Sequence, residues 1–174
     1  MPGTQSQVTI QNRVMRGPTG ATYTLTDDDL LWLGRAIYGE AGTKARGGAA
    51  VAWALAQNFL LVGRRPPRVA TFTALIRSYC QPVNPIWADP NGAKCRAHPD
   101  ACTPAKIARR AQMANMPWNS IPASVRDIVT RFAAGTLPNE VLGLVDWATP
   151  RWRADNVEID GNFFGRNPNR TYAA

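Results

Sequence analysis

The chain holds one histidine, His98, and three glutamates, Glu40, Glu140 and Glu158. A single histidine argues against a metal-dependent amidase, which usually needs several, and against an endopeptidase that pairs a thiol with an imidazole. Nothing in the sequence around Cys80, which precedes Gln81-Pro82, would activate its thiol. No stretch approaches the ~18 apolar residues of a transmembrane helix, so no membrane span is expected. Residues 1–20 are polar and lack the apolar core of a secretory signal, so action outside the cytoplasm would require another route of delivery. No dense Lys/Arg tract exists. The pairs Arg64-Arg65, Arg109-Arg110 and Arg151/Arg153 are scattered, and nucleic acid is not the expected partner.

What is present is enough for a folded domain. The chain has 174 residues and is 45% hydrophobic. One domain of this size buries roughly 70% of its unfolded surface. Fourteen glycines and fourteen prolines imply many loops between short elements. The net charge of +8 and pI near 10.1 permit a polyanionic partner or describe a solubilising surface.

Residues 1–24 are polar and read as an extended arm with a short strand near 7–10. The arm is either a flexible terminus or a docking segment for a larger assembly. The first helix is expected from Thr26, an N-cap with Asp29 at the third helical position. Asp27, Asp28 and Asp29 favour the positive end of its dipole. Leu30, Leu33, Ile37 and Glu40 share one face, and Gly42 is a stop. Gly47-Gly48 lead into a second helix over 49–61, whose apolar face ends in Asn58. Arg64-Arg65-Pro66-Pro67 break the chain. A short helix is expected over 73–79, a long loop over 81–102, and helices over 104–115 and 123–134. Short strands are expected near 141–145 and 157–164. The fold class is mainly α with minor β (α+β), with residues 25–174 as the catalytic domain behind the arm.

A carboxylate that completes an apolar stripe has two readings. Glu40 is the exposed end of a helix, or a general acid held protonated near neutral pH. Desolvation and the negative end of the helix dipole both raise a glutamate pKa. A glycosidic bond needs such a proton on its leaving oxygen. Gly39 would leave room for a substrate, and Tyr38 could stack on a sugar ring. Asn58, ending the second helix face as Glu40 ends the first, suggests a shared cleft.

Arg35-Ala36-Ile37-Tyr38-Gly39-Glu40-Ala41, a glycine-bearing spacer, and then residues 49–58 together resemble the spore cortex-lytic enzyme family of cell-wall hydrolases. That family carries a helix reading R-x-I-Y-G-E-A and a second reading roughly G-x-x-A-V-A-x-V-x-x-N-R. More loosely, residues 78–85 resemble its substrate-groove segment, and Asp160-Gly161-Asn162-Phe163-Phe164 its closing G-x-H-x-F-Y strand. Phe163 stands where the family has histidine, and Phe59 rather than arginine follows Asn58. The resemblance implies a lysozyme-like muramidase or lytic transglycosylase with Glu40 as its catalytic acid. The implied substrate is the glycan strand of peptidoglycan, cut between N-acetylmuramic acid and N-acetylglucosamine. One acid suffices for a transglycosylase. A two-carboxylate hydrolase would draw on Asp146, which is otherwise a turn residue.

Tyr38, Asn58, Gln81 and Asn84 are the expected substrate-positioning groups. Of the loop indoles Trp87, Trp118, Trp147 and Trp152, one or two are expected in a sugar groove, Trp87 first; the other reading is a cap on the core. Cys95 and Cys102 close a short loop and suit a disulfide. The rival is a zinc site of Cys80, Cys95, His98 and Cys102, which would be structural; no catalytic metal or other cofactor is expected. A leaderless wall hydrolase with a polar arm points to a bacteriophage protein, either a virion-associated lysin contacting other tail proteins through the arm or an endolysin held in the host cytoplasm until release. The alternatives are a non-catalytic tail protein on the same scaffold and a basic, zinc-stapled nucleic-acid binder.

Overall fold

The structure is a computed structural model that describes residues 7–61, 69–148, 151 and 153–166. Trp152 and the Arg64-Arg65-Pro66-Pro67 break lie outside the described residues. The described residues form a mainly α fold with two small antiparallel sheets. No helix among them is long and apolar enough to cross a membrane.

The centre is α2 (Ala45–Leu61), buried on every side from Ala50 to Leu61. Such a helix must be surrounded by other elements. Around it pack α1 (Asp27–Ala41), α3 (Phe72–Tyr79) and α6 (Ala123–Ala134). Small residues set the approach. A Cβ on Gly48 would lie 2.8 Å from Ile128 Cδ1 and 2.9 Å from Ile37 Cγ2, so α1, α2 and α6 converge there. Edge-on aromatic pairs fill the far side: Tyr23–Phe59 at 4.9 Å, Phe59–Phe72 at 5.6 Å and Trp53–Phe132 at 5.4 Å.

The start of α1 follows its sequence closely. Thr26 Oγ1 accepts from the Asp29 N–H, and the Asp29 carboxylate accepts from the Thr26 N–H, a reciprocal capping box. Asp29 does more than cap. It is 1% exposed and also accepts from the Tyr23 hydroxyl at 2.9 Å and from the Thr73 N–H and hydroxyl, each at 2.8 Å. One carboxylate thus ties the N-terminal sheet, α1 and α3 together.

Two expectations are corrected. The described part of the segment expected as an arm, from residue 7 on, folds into the body. Its strands β1 (Thr9–Gln11), β2 (Val14–Arg16) and β3 (Thr22–Thr24) form an antiparallel meander, turned at Asn12-Arg13 with φ of 47° and 67°. Val8, Ile10 and Met15 join the main core. Gly135, at φ 81° after α6, lets the Ile10 carbonyl approach to 2.0 Å from where a Cβ would stand. The second helix begins at Ala45 rather than 49, because the Gly47 N–H is satisfied by Asp160 Oδ2 at 2.7 Å. This cap comes from a distant hairpin, not from adjacent sequence.

The central loop is partly ordered into turns. It contains 3-10 turns at Gln81–Val83, Pro85–Trp87 and Pro99–Ala101 and a short α4 (Ala93–Ala97). Cys95 and Cys102 are bonded, with Cα atoms 5.3 Å apart, and Cys80 is a buried free thiol. The four-ligand zinc arrangement is therefore not formed: two of its thiols are bonded to each other. No group of three or more His, Cys, Asp or Glu side chains among the described residues could hold a metal. α5 (Pro104–Asn115) follows, capped by Thr103. The C-terminal sheet has the order β4-β6-β5, from β4 (Asp146–Ala148), β5 (Val157–Ile159) and β6 (Asn162–Gly165), with a tight Asp160-Gly161 turn.

Replacing Asp29 by alanine strands several buried donors at once. We expect a loss of about 3 kcal/mol or more in urea unfolding. A loss below about 1 kcal/mol would show that water replaces the carboxylate there.

Candidate active site

The last two turns of α1 carry Arg35, Tyr38, Gly39 and Glu40, and three of them fix a wall. Arg35 is buried, and its Nε donates to the Met116 carbonyl at 2.9 Å, holding the end of α5. Its guanidinium also lies 4.5 Å from the Trp32 ring centroid. A Cβ on Gly39 would stand 2.4 Å from Pro82 Cβ, so the 3-10 turn at Gln81–Val83 packs directly on α1. Pro82 takes the position that a Cβ would have at Gly39, and the space left beside the two is a small cavity. Glu40 faces the third wall, where Trp147 Nε1 donates to Glu40 Oε2 at 3.4 Å.

Glu40 is half-buried, at the C-terminal turn of α1. Burial raises its pKa from the ordinary 4.5 to about 7, opposed by the hydrogen bond from Trp147. Burial pushes the Cys80 thiol well above its ordinary range, and the neighbouring Glu40 charge adds to that. A carboxyl with a pKa of about 7 can give up a proton near neutral pH and take one back.

Trp147 is itself held in an aromatic and polar cluster. The Tyr79 ring lies 5.2 Å from it and the Phe164 ring 6.1 Å. The Tyr79 hydroxyl donates to Asp146 Oδ1. Asp146 is 8% exposed and precedes Trp147 on β4. The structure therefore brings Asp146 into the neighbourhood of Glu40, but as a carboxylate engaged by Tyr79.

The strand that carries Asp146 and Trp147 is hung from α2. Gln57 and Asn58 are buried. Gln57 Nε2 donates to the Val141 and Leu144 carbonyls at 3.3 and 2.7 Å, and its Oε1 accepts from Gly143 N–H and Asn139 Nδ2. Asn58 Nδ2 donates to the Val145 carbonyl at 3.1 Å. This explains why 141–145, expected as a strand, is a turn: side-chain amides take the backbone groups that a ladder would use. Asn58, expected to position substrate, positions β4.

The other expected residues divide. Asn84 is buried, donating to the Ser78 carbonyl at 2.8 Å and accepting from the Ile86 N–H at 3.1 Å, so it shapes the loop rather than a cleft. Gln81 lines a cavity of about 200 Å³ with Gly39 and Pro82. Tyr38 lines another of about 480 Å³ against α5. Glu40 lines neither. The Trp87 carbonyl accepts from Arg110 Nη1 at 2.7 Å. The Trp87 ring packs beside His98, Lys94 and Arg110 in the disulfide-closed loop. Trp118 lines a third, apolar cavity of about 860 Å³ with Leu30, Leu31 and Val129. Phe163, in the position of the family's histidine, lies 5.0 Å from the Arg151 guanidinium. Tyr79 and Gln57 were not anticipated. Gln57 has a visible signal, a polar residue inside an apolar helix, and Tyr79 has one in lying within residues 78–85, the stretch that resembles a substrate-groove segment.

No protein-family profile, curated protein or solved structure matches this chain.

Glu40→Gln tests the buried acid without any substrate. With its pKa raised in the fold, Glu40 adds no penalty below about pH 4.5, where it is neutral folded and unfolded. The penalty grows as pH rises through about 7. The variant should match wild type in thermal unfolding at pH 4 and exceed it at pH 8 by about 1–3 kcal/mol. Equal stability at pH 8 would show an ordinary, hydrated carboxyl.

Proposed function

We propose that this chain is a peptidoglycan-cleaving glycosidase of lysozyme-like type, acting on the glycan strand with Glu40 as its acid and then its base. The observation that carries the proposal is the Glu40 carboxyl, half-buried at a helix C-terminus and poised at about pH 7. The R-x-I-Y-G-E-A resemblance supports the same residue. In the first step Glu40 gives its proton to the glycosidic oxygen as the bond to the anomeric carbon breaks. The resulting carboxylate then takes a proton from the attacking hydroxyl. That hydroxyl is the muramic acid O6 in a transglycosylase, or water in a hydrolase. The engagement of Asp146 by Tyr79 favours the single-acid route. Trp147 supplies one N–H to the carboxylate form and an aromatic face next to it.

The second reading is a non-catalytic phage tail structural protein that keeps the same scaffold. It is favoured by one observation: Glu40 lines none of the cavities along α5 or α1.

Turbidity clearing of purified cell walls decides between them. Wild type should clear, and Glu40→Gln should fall by at least about 100-fold. Equal clearing by both would end the assignment of Glu40. Mass spectrometry of released muropeptides separates the chemistries: 1,6-anhydro ends mark transglycosylation, reducing ends hydrolysis. Clearing should decline above about pH 7 as Glu40 ionises. Trp147→Phe removes the hydrogen bond that favours the carboxylate, so this decline should move to higher pH. An unmoved profile would detach Trp147 from the titration.

A further inference from the structure

The basic charge of the chain has a local concentration beside Glu40. The 200 Å³ cavity has Gly39, Gln81 and Pro82 on one side and Lys106, Arg109 and Arg110 on the other. The 480 Å³ cavity runs on between Tyr38 and α5, and the two share Arg109 and Met113. Gly39 and Glu40 are consecutive on α1, so the acid and the basic cavity lie within about a helix diameter, ~10 Å.

The three cations are not neutralised. Lys106 Nζ donates to the Asp100 carbonyl at 2.6 Å and Arg110 Nη1 to the Trp87 carbonyl at 2.7 Å, both uncharged acceptors. None of the three is in an ion pair among the described residues. α5 carries no acidic residue. Lys106, Arg109 and Met113 recur at intervals of three and four, on one helix face. Arg110 is buried and committed, whereas Arg109 is exposed. A small concave space that carries three cationic side chains on one wall and no carboxylate in its lining fits an anionic oxygen group.

We propose that this groove is an anion subsite in which Arg109, assisted by Lys106, binds an anionic group carried by the wall strand and selects strands that bear it. The proposal rests on the reading of Glu40 as a wall-glycan acid. Two wall components offer the chemistry: stem-peptide carboxylates and the phosphodiesters of wall polymers. The carboxylate is the assigned source. It hangs from the same strand that would pass Glu40, and the planar fork of Arg109 matches it with two parallel hydrogen bonds.

The test is cosedimentation of the full chain with purified sacculi, in a Glu40→Gln background so that the wall persists. Arg109→Ala should weaken binding about tenfold and Lys106→Ala by less. Arg109→Lys should recover part of the loss. Arg16→Ala, an equal change of charge at an exposed β2 residue, should have no effect. On sacculi whose carboxyls have been converted to neutral amides the difference between Arg109 and alanine should vanish. On sacculi freed of phosphate polymers it should persist. Loss of the difference on phosphate removal instead would overturn the carboxylate assignment. Equal binding by the Arg109 and Arg16 variants, or no binding at all, would overturn the subsite. Muropeptide release by the Glu40 form is measured in parallel. Arg109-dependent binding without release removes the catalytic reading and leaves the subsite, and release without Arg109 dependence does the reverse.

Discussion

Two adjacent amides on a buried helix hold the arrangement around Glu40. Gln57 and Asn58 lie inside α2, where each unsatisfied polar atom would carry a desolvation cost of about 1–3 kcal/mol. They meet this by binding the backbone of 139–145, from the Asn139 side chain to the Val145 carbonyl. The requirement runs both ways, since that loop has no regular ladder for its own carbonyls. β4 begins where the amides stop, and its first two residues are Asp146 and Trp147. The position of the indole over Glu40 is therefore set by the rigidity of α2, the most enclosed element of the fold.

The electrostatics at Glu40 are a contest with a clear winner. Burial beside Cys80 raises the pKa, and the negative end of the α1 dipole acts in the same direction. The single N–H of Trp147 opposes them at 3.4 Å, a long hydrogen bond, and lowers the pKa only partly. A shorter bond or a second donor would hold the group as an ordinary carboxylate. The carboxyl of Asp146, one residue from Trp147, accepts from the Tyr79 hydroxyl.

Local chemistry was legible in the sequence and distant chemistry was not. The α1 cap, its acidic first turn, the stripe ending in Glu40 and the Gly42 stop are all encoded within a few residues of each other, and all appear. The start of α2 at Ala45 is not legible from adjacent sequence, because its cap, Asp160, lies 113 residues away from Gly47. The N-terminal meander was read as an arm because its three-residue strands are too short to announce a period. Its Val8, Ile10 and Met15 belong to the main core, and β1 packs on α6, a contact more than a hundred residues away in sequence. Asn58 and Asn84 show how a polar residue in sequence marks a need for partners without saying which. Both met backbone carbonyls. Trp147 was one of four loop indoles, and nothing in its own neighbourhood marked it as the one to reach Glu40.

The hydrogen bond from Gly47 to Asp160, and the contact from Glu40 to Trp147 across 107 residues, also carry a consequence for the order of assembly. Closing loops of this length is among the slower steps for a small domain. The helices that carry Glu40 and Asn58 lie in the N-terminal part of the chain. The indole and the aspartate turn arrive only with the C-terminal sheet. The hydrogen bond from Trp147 reaches Glu40 only with that sheet in place, so the full electrostatic setting of Glu40 is a property of the finished molecule.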